Sequence, residues 1–282
     1  MGFEVNAAAL LLKMKRDGVR LGRTLTLGHQ HLHLSLAVYR RLFDQLAQLA
    51  APDLPVFADP VLRALGATDV EAMDVSDYEG ATRLHDLNAL VPEAWHEQFD
   101  LVLDGGTLEH IFDFPMALKN CMQMIKPGGR FVAVTVPNNW CGHGFYQFSP
   151  ELFFRTLGAA NGFSTIEMYV ADLEGRRQYR VRDPESVGSR VEFWSCDPLM
   201  LLVHARRDDV KEIFRTLPQQ SDYVQDWKTG TRMGPPPREP AWKQLAIFRP
   251  IRRVRRAQLR RRHRRWYSLD NRAFFQRVDL GF

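Results

Sequence analysis

Three carboxylates and a glycine pair stand where a sugar-containing ligand can be held. Asp74, Asp86 and Asp104 each end a predicted strand, and Gly105-Gly106 follows Asp104 directly. An ionised carboxylate accepts hydrogen bonds from both hydroxyls of a ribose, so this pattern favours a nucleoside-containing ligand. Aspartates after strands also cap helices for structural reasons, and that alternative stays open for each of the three.

A histidine and three polar side chains lie just after residues 130–136, another predicted strand. His143 can take a proton from a substrate hydroxyl near neutral pH, because an imidazole titrates in that range. The alternative is that His143 only packs against its own loop or hydrogen-bonds to it. Asn138, Tyr146 and Gln147 can supply hydrogen bonds to the same substrate. This segment is therefore a second candidate part of the site.

Three alternating histidines raise the question of a metal site. His29, His31 and His33 would share one face of an extended segment, and their spacing is similar to the H-x-H of metal-dependent hydrolases. A divalent ion is chemically compatible with such ligands. Hydrolases of that type need further histidines at later strand ends, where this sequence offers aspartates without supporting histidine pairs. We therefore expect no metal.

The elements that must position these residues alternate between short β-branched runs and longer amphipathic ones. The predicted strands are 24–28, 69–74, 81–86, 100–104, 130–136, 164–170 and 199–206, and the predicted helices are 35–50, 114–125 and 150–161. Strands separated by helices predict a parallel, doubly wound α/β sheet. Ligands of such sheets lie beyond the carboxyl ends of the strands, so Gly28 and the three aspartates should meet at one edge.

Two stretches carry a resemblance to a known family. Residues 99–110 have the sequence FDLVLDGGTLEH, and residues 125–131 have the sequence IKPGGRF. At this spacing they resemble the fourth and fifth strand region of class I S-adenosylmethionine-dependent methyltransferases. Residues 144–152 and 161–163 are similar to the helix and strand that follow. The resemblance spans residues 20–206, and it implies a Rossmann-like sheet of seven mostly parallel strands and S-adenosylmethionine as cofactor.

The resemblance also assigns roles to particular residues. Asp74 corresponds to the acid that holds the cofactor ribose, and Asp86 lies where the family places a residue beside the adenine. Glu109 and His110 lie close to the position of the transferred methyl group. The cofactor-binding residues expected on this basis are Gly28, Asp74, Asp86 and Asp104, and the expected catalytic residues are His143, Glu109 and His110.

The first loop departs from the family pattern. Where the family has an acidic residue and three alternate glycines, this sequence has Thr26, Gly28, Gln30 and Leu32, and residues 51–65 resemble an insertion. A non-glycine residue forced into a left-handed conformation costs on the order of 1–2 kcal/mol, which would weaken cofactor binding roughly tenfold. Two functions follow: methyl transfer to an oxygen of a small-molecule or glycan-type acceptor, or a non-catalytic scaffold that has kept the fold.

Composition limits the classes of protein that remain. With 282 residues, of which 45% are hydrophobic and 25% charged, the chain is typical of a globular protein. No apolar run approaches the ~20 residues of a membrane span, and the start lacks a secretory signal, so we expect a cytoplasmic protein. The widely spaced Cys121, Cys141 and Cys196 support neither a disulfide framework nor a zinc knuckle.

Positive charge is concentrated near the carboxyl terminus. Residues 241–282 contain 13 Lys and Arg against 2 Asp, whereas the rest of the chain has 25 basic and 31 acidic residues. We expect a methyltransferase-like domain at 1–206 and a basic, helical extension at 207–282. The arginine tract 249–265 can pack on the domain or attract an anionic membrane surface, and we favour packing because residues 271–282 return to a globular composition. Nucleic acid is the least favoured partner, because no recognition motif accompanies the tract.

Overall fold

The computed structural model describes residues 2–230 and 266–281. The strands are β1 (Gly22–Leu27), β2 (Ala67–Asp74), β3 (Arg83–Leu84), β4 (Phe99–Asp104), β5 (Ile125–Asn138), β6 (Phe163–Ala171), β7 (Gln178–Val181), β8 (Leu199–Arg207) and β9 (Phe275–Val278). The helices are α1 (Val5–Arg16), α2 (Leu36–Gln45), α3 (Asp59–Leu65), α4 (Phe114–Met124), α5 (Pro150–Thr156), α6 (Pro184–Val187) and α7 (Ser221–Thr229). Short 3-10 turns lie at Glu93–Trp95, Leu108–His110 and Ala159–Asn161.

All nine strands form one sheet in the order β3-β2-β1-β4-β5-β8-β6-β7-β9. The first five are parallel, and β1 lies between β2 and β4 with Leu27 opposite both Met73 and Asp104. The strand order therefore reverses direction at β1, and the carboxyl ends of β1, β2 and β4 open into one crevice. The predicted doubly wound, mostly parallel α/β fold is confirmed.

The strand count was predicted too low, because seven strands were expected and β7 and β9 extend the sheet. The strand β8 runs antiparallel between β5 and β6, and β7 pairs antiparallel with both β6 and β9. Only β7 and β8 therefore oppose the direction of the other seven. Through β9, residues 271–281 pack against the sheet, where Phe274 and Phe275 are buried.

Both faces of the sheet are covered. On one face Leu101 and Leu103 pack with α1, α2 and α3, and on the other Val102 packs with α4 and α5. The helix α1 was not predicted because residues 7–12 have the sequence AAALLL, all buried, with no polar face to reveal a helical period. The predicted start of α5 is confirmed, since Ser149 accepts a hydrogen bond from the Glu151 amide and Pro150 lies in the first turn.

The remaining predictions concern the basic extension, membrane spans and the cysteines. The arginine tract 249–265 lies outside the described residues, as do residues 231–248 of the predicted basic extension, and the division at residue 206 stays a prediction. Among residues 2–230 and 266–281, no helix combines the length and the apolar character needed to cross a bilayer. The three cysteines are free thiols.

A buried ionic network fastens α1 to the sheet. The carboxylate of Glu167, on β6, lies 3.1 Å from Lys13 Nζ of α1 and 3.2 Å from His204 Nδ1 of β8, and it accepts a hydrogen bond from the Tyr169 hydroxyl. Burial by itself would raise the pKa of Glu167, but these three donors lower it to about 2. The ionised carboxylate is therefore favoured in the folded protein.

We expect Glu167→Gln to lower the free energy of unfolding by about 2–3 kcal/mol near neutral pH, because the variant loses the charge that these donors stabilise. A lowered folded-state pKa stabilises the protein above the ordinary value of 4.5, and this contribution disappears as the pH falls toward about 2. Urea unfolding at several pH values should therefore show wild type and variant converging in acid. Glu174→Gln, at an exposed ion pair, is the matched control, and equal effects of both substitutions would contradict the prediction.

Candidate active site

The crevice at the switch point is built around Gly28. This residue has a φ of +71°, and a Cβ there would lie 3.4 Å from Thr107 Oγ1 and 3.7 Å from Asp74 Oδ2. The Thr107 hydroxyl donates a 2.7 Å hydrogen bond to the Leu27 carbonyl, which ties the loop after β4 to the end of β1. The predicted meeting of Gly28 and Asp74 at one edge is therefore observed, and the half-buried Asp74 carboxylate faces the glycine.

Gln30 fills the part of the crevice that faces β4. Its side chain is buried, its amide donates to the Leu27 carbonyl, and its Oε1 has no partner among the described residues. Oε1 stands so close to Gly105 that a Cβ on that glycine would clash with it. The expected strain is not found, because neither Gln30 nor Leu32 adopts a positive φ. Gln30, which replaces a glycine of the family pattern, therefore changes the crevice by filling it with a side chain and not by straining the backbone.

Asp86 lies near the same edge, just beyond the short strand β3. It is exposed, and its Oδ1 accepts hydrogen bonds of 2.9 and 2.8 Å from the backbone and side-chain nitrogens of Asn88, which lower the pKa of the carboxyl. Asp86 is therefore ionised and accessible from solvent.

The Asp104 carboxyl group has a structural role in place of the predicted cofactor contact. It is wholly buried, and its Oδ1 accepts hydrogen bonds from the amides of Thr107 at 2.7 Å and Leu108 at 3.3 Å. Burial raises its pKa, against the effect of these amides. Oδ1 of this carboxyl group therefore closes the turn after β4, whereas Oδ2 has no partner among the described residues.

Glu109 points inward from the turn after β4. It is fully buried, its Oε2 accepts a 3.0 Å hydrogen bond from the Thr135 hydroxyl of β5, and its Oε1 has no partner in the described part of the chain. Burial raises the pKa of Glu109, and the neighbouring Asp104 adds to the effect. A buried carboxyl with an unused oxygen is costly unless something else binds there.

The loop after β5 brings His143 to this carboxyl. The amides of Phe145 and Tyr146 donate to the Glu109 carbonyl at 2.8 and 3.2 Å. Gly144 permits the approach, since a Cβ there would lie 2.7 Å from that carbonyl oxygen. The rings of His110 and His143 are 4.9 Å apart, and one donor atom each from Glu109, His110 and His143 lie within 4.8 Å of one another. The three predicted catalytic residues therefore form one cluster.

The two imidazoles are arranged to stay neutral. Burial lowers the pKa of His143, and burial together with the charge of His143 lowers the pKa of His110. His143 Nε2 is buried without a partner among the described residues, whereas His110 is exposed at the rim. A neutral imidazole offers a lone pair, so the cluster can accept a proton or bind a cation.

The three predicted substrate residues already have protein partners. Asn138 Oδ1 accepts from the Leu199 amide at 3.1 Å, and Gln147 Oε1 accepts from the Trp140 amide at 2.9 Å. The Tyr146 hydroxyl donates to the Phe112 carbonyl at 2.7 Å. These bonds brace the loop that carries His143, and any contact with a substrate would be additional to them.

One exposed pair of aromatic side chains lies beside the cluster. The rings of Phe112 and Phe145 meet edge to face at 5.8 Å, and about 70% of each side chain is exposed. Phe112 follows His110 by two residues, and that adjacency was the available sequence signal. The pair forms an apolar rim beside the cluster.

The alternating histidines fasten the inserted segment. His29 stacks on Phe57 at 3.6 Å and contacts Asp59 at 2.9 Å, while His31 contacts Glu79 at 3.0 Å. Their side chains hold the loops beside β1.

Part of the chain matches a known family. Residues 63–133, about a quarter of the chain, match the family described as "Methyltransferase domain". This match supports the expected resemblance to class I S-adenosylmethionine-dependent methyltransferases, and with it S-adenosylmethionine as the cofactor. The order and direction of the strands confirm the predicted Rossmann-like fold.

Curated relatives match over a shorter segment. The chain is 43% identical over 61 residues to the ubiquinone biosynthesis O-methyltransferase of Bradyrhizobium diazoefficiens, and 41% identical over 61 residues to that of Nitrobacter winogradskyi. Each match covers 22% of this chain and 24% or 23% of the relative. The matched segment thus spans about a quarter of the length of these relatives.

Solved structures are similar at lower identity. The N-methyltransferase NodS of Bradyrhizobium japonicum is 15% identical, with a TM-score of 0.40 over 72% of this chain and 96% of its own. A didemethyltoxoflavin N-methyltransferase of Burkholderia thailandensis is 17% identical, with a TM-score of 0.38 over 72% of this chain and 77% of its own.

The position of Gln30 generates a prediction about the crevice. We expect Gln30→Gly to strengthen binding of S-adenosylhomocysteine up to roughly tenfold, because a ligand entering the crevice no longer has to break the buried bond to the Leu27 carbonyl. Isothermal titration calorimetry on wild type and variant measures the change. Gln48→Gly, outside the crevice, is the control for a loss of side-chain volume. Weaker binding by Gln30→Gly would instead identify the carboxamide as a ligand contact.

Proposed function

We propose that this protein transfers a methyl group from S-adenosylmethionine to a hydroxyl oxygen of a small-molecule acceptor. The observation that carries the proposal is the cluster of Glu109, His110 and His143 on the loops that follow β4 and β5, next to the crevice lined by Gly28 and Asp74. Proton-accepting groups thus stand beside a crevice suited to a nucleoside. The relatives named as O-methyltransferases support an oxygen acceptor.

The residues around β1, β2 and β3 fit the cofactor. Asp74 faces Gly28, where its carboxylate can accept hydrogen bonds from ribose hydroxyls, and Asp86 lies farther along the same edge for the adenine. The cofactor supplies a methyl group already activated by a positively charged sulfur. The main contribution of the chain is therefore to align an acceptor oxygen with that methyl carbon.

His143 is the proposed proton acceptor. With the cofactor bound, methyl transfer to the acceptor oxygen would leave the electrons of the carbon–sulfur bond on sulfur, and His143 Nε2 would accept the hydroxyl proton. The lowered pKa of His143 keeps the ring neutral and ready for that proton near pH 7. Glu109 and His110 are proposed to hold the imidazole and the acceptor in position.

The rim of the cluster suggests the kind of acceptor. Phe112 and Phe145 expose an apolar surface immediately beside His110 and His143. Such a surface packs against an aromatic ring or the apolar face of a sugar, which are the small-molecule and glycan-type acceptors expected from the sequence. An aromatic hydroxyl fits best, because edge-to-face ring contacts are available on both side chains.

One observation favours the second candidate, a non-catalytic scaffold with this fold. Gln30 occupies the crevice and blocks the approach to Gly105. A ligand would have to displace a buried side chain, and a protein that no longer binds cofactor would show such a filled crevice. Calorimetry with S-adenosylhomocysteine separates the two functions.

The anionic membrane surface stays a predicted partner of the tract 249–265.

Replacing Asp74 tests the cofactor site. We expect Asp74→Ala to weaken binding of S-adenosylhomocysteine by ~1–3 kcal/mol, or roughly 5- to 150-fold, because charge-assisted hydrogen bonds to the ribose are lost. Asp77→Ala removes an exposed carboxylate from the same loop and should leave the affinity unchanged. If the wild type fails to bind the ligand at millimolar concentration, the scaffold function is favoured instead.

Replacing His143 tests the chemistry separately from binding. With protocatechuate as a phenolic acceptor, His143→Ala should lower turnover by roughly 10² to 10⁴ and leave the affinity for S-adenosylhomocysteine nearly unchanged. His96→Ala, before β4 at the opposite end of the sheet, is the control. Undiminished turnover in His143→Ala would remove the histidine from the reaction.

A further inference from the structure

We propose that Glu109, His110 and His143 form a binding site for a divalent metal ion of the zinc type. One carboxylate oxygen and two imidazole nitrogens lie within 4.8 Å of one another. Two histidines and one glutamate are a ligand set of catalytic zinc sites, which keep one position open. This revises the expectation of no metal, because the fold assembles a histidine pair from two loops.

The buried ends of the cluster need a partner. Glu109 is fully buried, and its Oε1 makes no hydrogen bond to any residue of 2–230 or 266–281, while Oε2 is held by Thr135. His143 Nε2 is likewise buried and unpartnered within those ranges. Buried side-chain atoms without a partner are rare in native structures, and a cation bound between these two residues would satisfy both.

The surrounding structure fixes the ligands in advance. Glu109 is anchored through Thr135, and its carbonyl accepts the amides of Phe145 and Tyr146, so the two loops cannot separate without breaking backbone hydrogen bonds. The His143 amide donates to the Trp140 carbonyl at 3.0 Å. These backbone contacts hold the two loops that carry Glu109 and His143 against each other.

The site opens in one direction only. Glu109 lies at its base, His143 is half-buried, and His110 is exposed at the rim beside Phe112 and Phe145. A metal held by the three side chains would therefore present its remaining position to the acceptor side. This metal site rests on the proposed function and deepens it. An acceptor hydroxyl bound to the metal would lose its proton more easily, and the proton would pass to water. His143 would then be a metal ligand instead of a base.

Direct metal binding tests the inference without any turnover. The purified full chain is stripped with a chelator and titrated with Zn²⁺ against a chromophoric competitor, and with Co²⁺ for its visible absorption. We expect one equivalent of Zn²⁺ per chain, with binding weakened at least ~100-fold in Glu109→Gln and in His143→Ala. His96→Ala and Cys141→Ser are matched controls for an unrelated imidazole and for the exposed thiol nearby, and should bind as wild type does.

His110→Ala keeps the test valid if the buried variants do not fold, because His110 is exposed and its replacement leaves the interior intact. Stoichiometric binding with unchanged affinity in a folded His110→Ala, or in either of the other two variants, overturns the site, as does a wild type that binds no Zn²⁺. Calorimetry with S-adenosylhomocysteine on the same samples distinguishes the failures. If the protein binds S-adenosylhomocysteine but no Zn²⁺, only the metal site is excluded. If it binds Zn²⁺ but no S-adenosylhomocysteine, the proposed methyl transfer is excluded.

Discussion

The arrangement of the site depends on the buried carboxyl group of Asp104 at the end of β4. Its hydrogen bonds to the Thr107 and Leu108 amides turn the chain sharply as it leaves the sheet. That turn sets the Thr107 hydroxyl against the end of β1 and directs Glu109 into the interior. The carbonyl of Glu109 then receives the loop from β5. Burying a carboxyl group is costly unless it is hydrogen-bonded, so the amides that donate to Asp104 Oδ1 fix this turn and with it the position of Glu109.

The same edge shows how a family pattern can change without strain. The first loop keeps one glycine, Gly28, whose φ of +71° would strain any residue with a side chain. Two residues on, Gln30 adopts an ordinary backbone conformation and turns its amide into the crevice. The insertion that follows is held by His29 and His31 through Asp59, Phe57 and Glu79, so the altered loop is as well fastened as the strands.

The parallel half of the sheet could be predicted from sequence because its strands are β-branched runs separated by helices. The edge that collects Gly28 and Asp74 followed from the rule that ligands lie beyond strand ends. Helix α1 was missed because its apolar residues surround it, and β7 and β9 are four-residue strands separated by a long stretch of sequence. Contact between Glu109 and His143, 34 positions apart, depends on Gly144 having no side chain, and no local pattern reports that.

The antiparallel half of the sheet then has a function in the site, although none of its residues lies in the crevice. The loop that carries His143 is braced by the start of β8: Asn138 accepts the Leu199 amide, and the Trp140 indole donates to the Leu199 carbonyl at 3.2 Å. Asn139 reaches the carbonyls of Ser195 and Asp197 just before it. Changes around residues 195–199 should therefore displace the cluster of Glu109, His110 and His143 while leaving Gly28 and Asp74 in place, because different strands support the two parts.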